Sequence, residues 1–143
     1  MDIEKYRSGR CPVGRALARI GDSWSMLILR DASQSPLRFE AARANLGIAP
    51  NILTRRLTML VADGLLEKRA YSTRPPRFEY VLTDKGADVV PILMAIGAWG
   101  RKYHGEGGTS YIVDESGAPI EPLVVNARSG KPLSPGAMRI VQP

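Results

Sequence analysis

Apolar residues recur at spacings of three and four along most of the first hundred positions, and alternate in only one stretch. Val13, Ala16, Leu17 and Ile20 predict a helix over 13–20, with Cys11 at its N-cap, Pro12 at the first helical position and Gly21 as its stop. Trp24 to Arg30 predicts a second helix, capped by Asp22 or Ser23. It is apolar on most sides and therefore belongs in the interior. After the Ser35-Pro36 turn, Phe39, Ala42 and Leu46 predict a short amphipathic helix over 38–45. Leu46-Gly47-Ile48 interrupts the pattern with a glycine able to turn left-handed. A helix from Pro50 to about Asp63 follows, ended by Gly64.

Helix, short glycine turn and helix is the tight geometry of a helix-turn-helix. At 100° per residue, Leu53, Leu57, Leu60 and Val61 fall on one side of the second of these helices, and Asn51, Thr54, Arg55 and Thr58 on the other. Short polar groups around an arginine that can pair bidentately with a guanine edge suit a helix lying in the major groove.

The alternating stretch comes next. Leu65–Tyr71 and Arg77–Leu82 read as two strands around Ser72-Thr73-Arg74-Pro75-Pro76, expected to stay outside both as a turn. Phe78, Tyr80 and Leu82 share one face of the second strand, and Glu79 and Val81 the other. A hairpin directly after a recognition helix is the wing of a winged helix, and its tip carries Arg74 and Arg77, within reach of phosphates or a neighbouring minor groove. Thr83 caps a last long helix, expected to run unbroken from about Asp84 to Tyr103. Its stripe of Val89, Leu93 and Ile96, with Trp99 on the flank, exceeds what a compact winged helix needs to cover itself; packing on its own domain accounts for part of it, and the rest is expected to form a subunit interface.

The fold class is thus mostly α with a small β-hairpin wing, plus a β-rich or irregular C-terminal tail. The expected domains are 1–104 for DNA binding and dimerisation, and 105–143 for the tail. Charge sharpens the functional side. The chain carries 20 basic and 14 acidic residues, a net of +6, and residues 38–77 alone carry +5. A basic block over the helix-turn-helix and wing is an electrostatic footprint for phosphates. Candidate DNA contacts are Arg38, Asn51, Thr54, Arg55, Thr58, Arg74 and Arg77. One cysteine excludes an internal disulfide. The short apolar runs exclude a bilayer span, and a cytoplasmic protein is expected.

Several ordered pieces resemble one family. Cys11-Pro12-Val13, Gly21-Asp22-Ser23-Trp24, Leu27-Ile28-Leu29-Arg30 and Arg38-Phe39 are followed by Leu53-Thr54-Arg55-Arg56-Leu57 and Asp63-Gly64-Leu65. Arg74-Pro75-Pro76-Arg77-Phe78-Glu79-Tyr80 and Leu82-Thr83-Asp84-Lys85-Gly86 complete the set. Over residues 8–103 the chain resembles HxlR-type winged-helix regulators, related in fold to the MarR group. The resemblance implies a homodimer, joined through N- and C-terminal helices, that binds a pseudo-palindromic operator and regulates transcription. Ala49 departs from the serine common before Pro50, removing an N-cap oxygen worth about 0.5–2 kcal/mol.

Some members sense electrophiles or oxidants through a cysteine where Cys11 stands, and a helix N-terminus with Arg10 and Arg15 nearby favours a thiolate. The bland alternative is a small packed or exposed thiol. The tail resembles a ribbon found on some relatives, but serine occupies its cysteine knuckle positions in Ser116-Gly117-Ala118-Pro119 and Ser129-Gly130-Lys131-Pro132, thirteen residues apart. No metal or other cofactor is expected.

An enzyme would need a nucleophile with a base or clustered acids and histidines, whereas His104 is the only histidine and Cys11 has no evident base. A winged helix used for protein–protein contact would carry apolar residues where Asn51, Thr54, Arg55 and Thr58 stand. A regulator sensing a small molecule without cysteine chemistry stays open, with Trp24, Met26, Trp99 and Tyr103 as candidate pocket residues.

Overall fold

The structure is a computed structural model and describes residues 2–142. These fall into two compact units that divide after Leu93. The boundary drawn at 104 follows the end of the last helix, whereas the units divide inside that helix.

The first unit opens with a 3-10 turn, Ile3–Tyr6, and four helices: α1 Pro12–Ile20, α2 Ser23–Ala32, α3 Phe39–Leu46 and α4 Pro50–Ala62. Each starts where its local chemistry allows. Cys11 is the N-cap of α1, its Sγ accepting from the Gly14 N–H at 3.4 Å. Asp22 rather than Ser23 caps α2, its Oδ1 accepting from the Ser25 N–H at 2.9 Å. Gly47 takes φ +62° and ends α3 in the left-handed conformation the turn demands. Ala49 precedes α4 with extended backbone and no side-chain cap, so the N–H groups of that first turn have no capping oxygen. Ile28, Leu29, Leu53, Leu57, Leu60 and Leu66 are almost wholly buried and form the centre of the core. Each contributes on the order of 1.5–3 kcal/mol through burial. The interior placement of α2 follows from Ile28 and Leu29, both at 0% exposure.

Strands β1, Leu66–Thr73, and β2, Pro76–Leu82, pair antiparallel as the wing. They run further towards the tip than expected: Ser72 pairs with Arg77 and Thr73 with Pro76, leaving only Arg74-Pro75 as the turn. Pro76 is tolerated because it is the first residue of its strand, where a missing donor costs little. Leu37 adds a short third rung, exchanging both backbone hydrogen bonds with Tyr80 at 2.8 Å. On β2, Tyr80 and Leu82 pack against the core while Phe78, on the same face nearer the tip, is 45% exposed; Glu79, on the opposite face, is nevertheless only 8% exposed. Arg69 lies directly opposite and donates to Glu79 Oε1 at 2.9 Å, which is how a carboxylate is accommodated there.

The long last helix is broken, contrary to expectation. A short α5, Asp84–Ala87, is separated by Asp88 and Val89 from α6, Val90–Tyr103. Pro91 explains the break: it has no N–H to donate to the Ala87 carbonyl, so a continuous ladder would fail there, yet it is tolerated in a new first turn. The break also corrects the placement of Val89, expected in a subunit interface. It is 7% exposed and packs in the core of its own chain, with Leu93 half-buried against that core.

The second unit holds the rest of α6 and the tail. On α6, Ile96, Trp99 and Tyr103 are exposed. The tail forms two small loops closed by single bridges, Val113 to Pro119 and Val125 to Pro132, rather than strands. Gly117 and Gly130 turn with positive φ in corresponding places. Asp114 accepts from the Ser116 hydroxyl and from the Ser116 and Ala118 N–H groups. These bonds hold its carboxyl below the usual carboxylate range. The thirteen-residue echo in sequence is therefore a repeated turn. Among the described residues no three His, Cys, Asp or Glu side chains converge as a metal-binding set.

Candidate nucleic-acid interface

Because Leu53, Leu57 and Leu60 turn α4 into the core, Asn51, Thr54, Arg55 and Thr58 are left exposed together on its outer side. The Thr54 hydroxyl donates to the Pro50 carbonyl at 2.9 Å, and the Thr58 hydroxyl to the Thr54 carbonyl at 2.8 Å. Both hydroxyl protons are thus committed within the helix, and the oxygens face outward as acceptors. Among the described residues no carboxylate pairs with Arg55. Its planar fork is free to reach a guanine edge, which needs two parallel donors.

The other cations of the basic block divide into two groups. Arg56 turns inward and pairs with Asp22 at 3.2 Å, docking α4 against the start of α2. Arg69 pairs with Glu79, and Arg43 lies 3.6 Å from Glu40. Arg74 and Arg77 are exposed at the wing tip without carboxylate partners among the described residues, and Arg38 lies at the N-cap of α3 with its guanidinium 3.9 Å from the centre of the Tyr71 ring. Lys68 sits 4.6 Å over the Phe78 ring. The +5 of the block is therefore concentrated outward in fewer side chains than the count suggests. Two helices bring Arg38 and Arg55, and the wing brings Arg74 and Arg77.

The far end of α4 is fixed as well. Asp63, its C-cap, accepts two parallel hydrogen bonds from Arg7 at 3.0 and 2.9 Å, and Arg7 also reaches Glu4 at 2.8 Å. The Arg7 guanidinium, through hydrogen bonds and charge, holds the Asp63 carboxyl below the usual carboxylate range despite partial burial. The segment ahead of α1 is thus tied to the end of the helix that carries Arg55. Nothing in the local sequence pattern pointed to this pair, because its members are 56 positions apart.

Cys11 is exposed. Arg15, expected beside the thiol, gives its Nε–H to the Gly9 carbonyl at 2.6 Å. Of the four candidate pocket residues, Trp24 and Met26 are partly buried against the core, while Trp99 and Tyr103 are exposed on α6 with ring centres 5.5 Å apart. His104 sits with its ring 5.4 Å from Trp99. No helix among the described residues is long and apolar enough to cross a membrane.

Comparison with known proteins bears on the same region. The chain is 43% identical over 91 residues to Mb3122, an uncharacterized HTH-type transcriptional regulator of Mycobacterium bovis, covering 64% of this chain and 58% of that protein. The chain thus spans just over half the length of that mycobacterial relative. Another HTH-type transcriptional regulator, from Methanothermobacter thermautotrophicus, is 42% identical over 94 residues, covering 65% of this chain and 72% of that protein. The solved structure of PA1607 superposes with a TM-score of 0.87 at 39% identity, covering 97% of this chain and 99% of that one. The redox regulator HypR in its oxidized form superposes with a TM-score of 0.62 at 32% identity, covering 66% of this chain and 98% of that one. With residues 19–107 matching its family profile, a helix-turn-helix with an outward polar face, and a wing beside it, the chain belongs to the HxlR-like helix-turn-helix family of transcriptional regulators.

Proposed function

We propose that this regulator acts in the cytoplasm as a homodimer on a pseudo-palindromic operator, with α4 in the major groove and the wing against the backbone. The observation that carries the proposal is Arg55, without a carboxylate partner among the described residues and flanked by Thr54 and Thr58, on a helix whose opposite side is core. Asn51 extends the same face towards the helix N-terminus, the end that enters the groove in this motif. Arg38, Arg74 and Arg77 supply phosphate contacts, which fix register without reading sequence. Val13 and Leu17 are exposed apolar side chains on α1, and Ile96 and Trp99 are exposed apolar side chains on α6; each pair is a candidate for cover by a second copy. Leu93 contributes only its outer side.

Selection of bound fragments from random DNA tests both parts together. Enriched sequences should contain two inverted half-sites about one helical turn apart, ~34–36 Å, or a multiple of it. The log of the affinity should fall with log salt by about 0.9 for each phosphate contacted. A single unpaired half-site would argue against the dimer, and binding indifferent to ionic strength would defeat the interface.

A second reading concerns control of that binding. Cys11 is exposed and its sulfur caps α1, and HypR, to which the chain is similar, is described as a redox regulator. Oxidation of two thiols, with loss of two electrons and two protons to an oxidant such as a peroxide or a disulfide, would form a Cys11–Cys11 bond between copies. Exchange with a small disulfide would instead leave a mixed disulfide and release one thiol. Either product changes the sulfur that accepts from Gly14 at the start of α1. The segment ahead of α1 is tied to α4 through Arg7 and Asp63, so a shift there has a path to Arg55. Operator affinity should drop on oxidation of the wild type and stay constant in Cys11→Ser. An unchanged wild-type affinity, with Cys11 shown by mass to be modified, would exclude this switch and leave a small-molecule effector as the remaining signal.

A further inference from the structure

The contact between Arg38 and Tyr71 joins the start of the helix-turn-helix to the wing. Arg38 starts α3, and Tyr71 belongs to β1 of the wing. Tyr71 is the extra residue of a β-bulge: Ala70 pairs with Phe78 and Ser72 with Arg77, leaving Tyr71 without a partner across the ladder. Bulges re-aim a side chain and are common beside functional sites. Here the ring, 37% exposed, receives the guanidinium of Arg38 at 3.9 Å from its centre. The neighbouring residue Leu37 is hydrogen-bonded to Tyr80 in both directions, so the backbone that carries Arg38 is fastened to the wing as an added rung.

What Arg38 lacks is equally informative. Arg43, Arg56 and Arg69 each have a carboxylate within 4 Å, whereas among the described residues Arg38 has none. A guanidinium held 3.9 Å from a ring centre, with no carboxylate partner among the described residues, has N–H groups left over to bind a phosphate bidentately. The ring contact also removes much of the rotameric freedom that an exposed arginine would otherwise lose on binding. Its place is at the start of α3, the helix that precedes α4 in the helix-turn-helix, against the wing.

We propose that Tyr71 is a positioning residue for DNA binding: its ring, re-aimed by the bulge, holds Arg38 as a preset clamp for a backbone phosphate. This rests on the DNA-binding reading above and adds a residue that touches no nucleic acid itself.

The test uses the full chain and a mixed-sequence duplex of about 30 base pairs, long enough for two half-sites. A phosphate contact is lost on any sequence, so no operator is needed. Arg38→Ala should make the salt slope shallower by about 0.9 per contact, or about 1.8 for a dimer. Tyr71→Leu should weaken binding roughly two- to fivefold, the size of an exposed cation–π contact, and Tyr71→Phe should bind as wild type. In the Arg38→Ala background, Tyr71→Leu should have no further effect on binding. A merely structural tyrosine would instead weaken binding by the same factor in both backgrounds, and that result would overturn the proposal. If Tyr71→Leu melts early, Arg38→Lys decides, since lysine keeps the charge without the flat fork: binding equal to wild type would overturn the clamp, and a two- to fivefold loss would support it. Wild-type protein that fails to bind duplex at low salt would defeat the underlying DNA-binding reading, a result distinct from additive losses at Tyr71.

Discussion

Alanine in place of Arg55 is expected to weaken binding to the selected operator by about 1–3 kcal/mol, roughly five- to 150-fold, and to relax the preference at one base pair of each half-site. The expectation follows from the surroundings of that arginine. Leu53 and Leu57 on either side of it are at 0% and 1% exposure, so α4 cannot roll to present another face. The hydroxyls of Thr54 and Thr58 are committed to carbonyls of the same helix. Arg55 is therefore the strong donor on that face, and a guanine presents two acceptors to it in the major groove. Arg74 provides the contrast. At the wing tip it is expected to meet backbone, and Arg74→Ala should weaken cognate and scrambled duplexes by the same factor while making the salt slope shallower. Competition anisotropy with both duplexes separates the two. Equal losses for Arg55→Ala on cognate and scrambled DNA would remove it from base readout.

The readable part of this molecule was the part governed by local rules. Spacings of three and four located α1 to α4, Gly47 located the turn, and the polar face of α4 followed from the positions of its leucines. The wing was readable because a Pro-Pro pair sits between two alternating runs. Its tip was not, since pairing of Ser72 and Thr73 depends on the geometry of a two-residue turn that alternation does not encode. Pro91 carried a signal that the apolar stripe masked: a missing donor outweighs a continuous pattern, and Val89 consequently belongs to the core rather than to an interface. The destinations of the cations were beyond reach. Arg55 and Arg56 are neighbours with the same chemistry, yet one faces solvent and the other closes on Asp22, because 100° of rotation separates them. Long-range pairs such as Arg7 with Asp63, and the bulge that aims Tyr71, exist only once distant segments have met. The tail was legible as turns but not as structure, for its exposed apolar residues leave little burial to organise it.

Alanine in place of Gly86 is expected to be among the most destabilising single-methyl additions in the chain, costing about 3 kcal/mol or more. Gly86 lies in α5 where the base of the wing meets the end of α4. A Cβ there would overlap the carbonyl oxygen of Leu65 and come within 3.1 Å of the Leu65 carbonyl carbon and of Leu82 Cδ2. The oxygen cannot swing aside, because the Thr83 N–H donates to it at 3.2 Å. Nor can α5 shift outward freely: the Gly86 N–H donates to Thr83 Oγ1 at 3.0 Å, and the same hydroxyl donates to the Gly64 carbonyl. Leu65 and Leu66 are themselves 3% and 2% exposed, so moving them opens the core. For a folded unit of this size each kcal/mol corresponds to roughly 4–8 °C in Tm, and Gly86→Ala should melt at least about 10 °C below wild type. Gly136→Ala is the control, since a Cβ there meets nothing within 4 Å, and it should melt as wild type. The wing should suffer along with stability: protein of the Gly86 variant that remains folded in the cold should show the shallower salt slope of a chain that has lost Arg74 and Arg77 contacts. A Gly86→Ala protein melting within about 2 °C of wild type would mean that the junction of wing, α4 and α5 yields more easily than its hydrogen bonds imply.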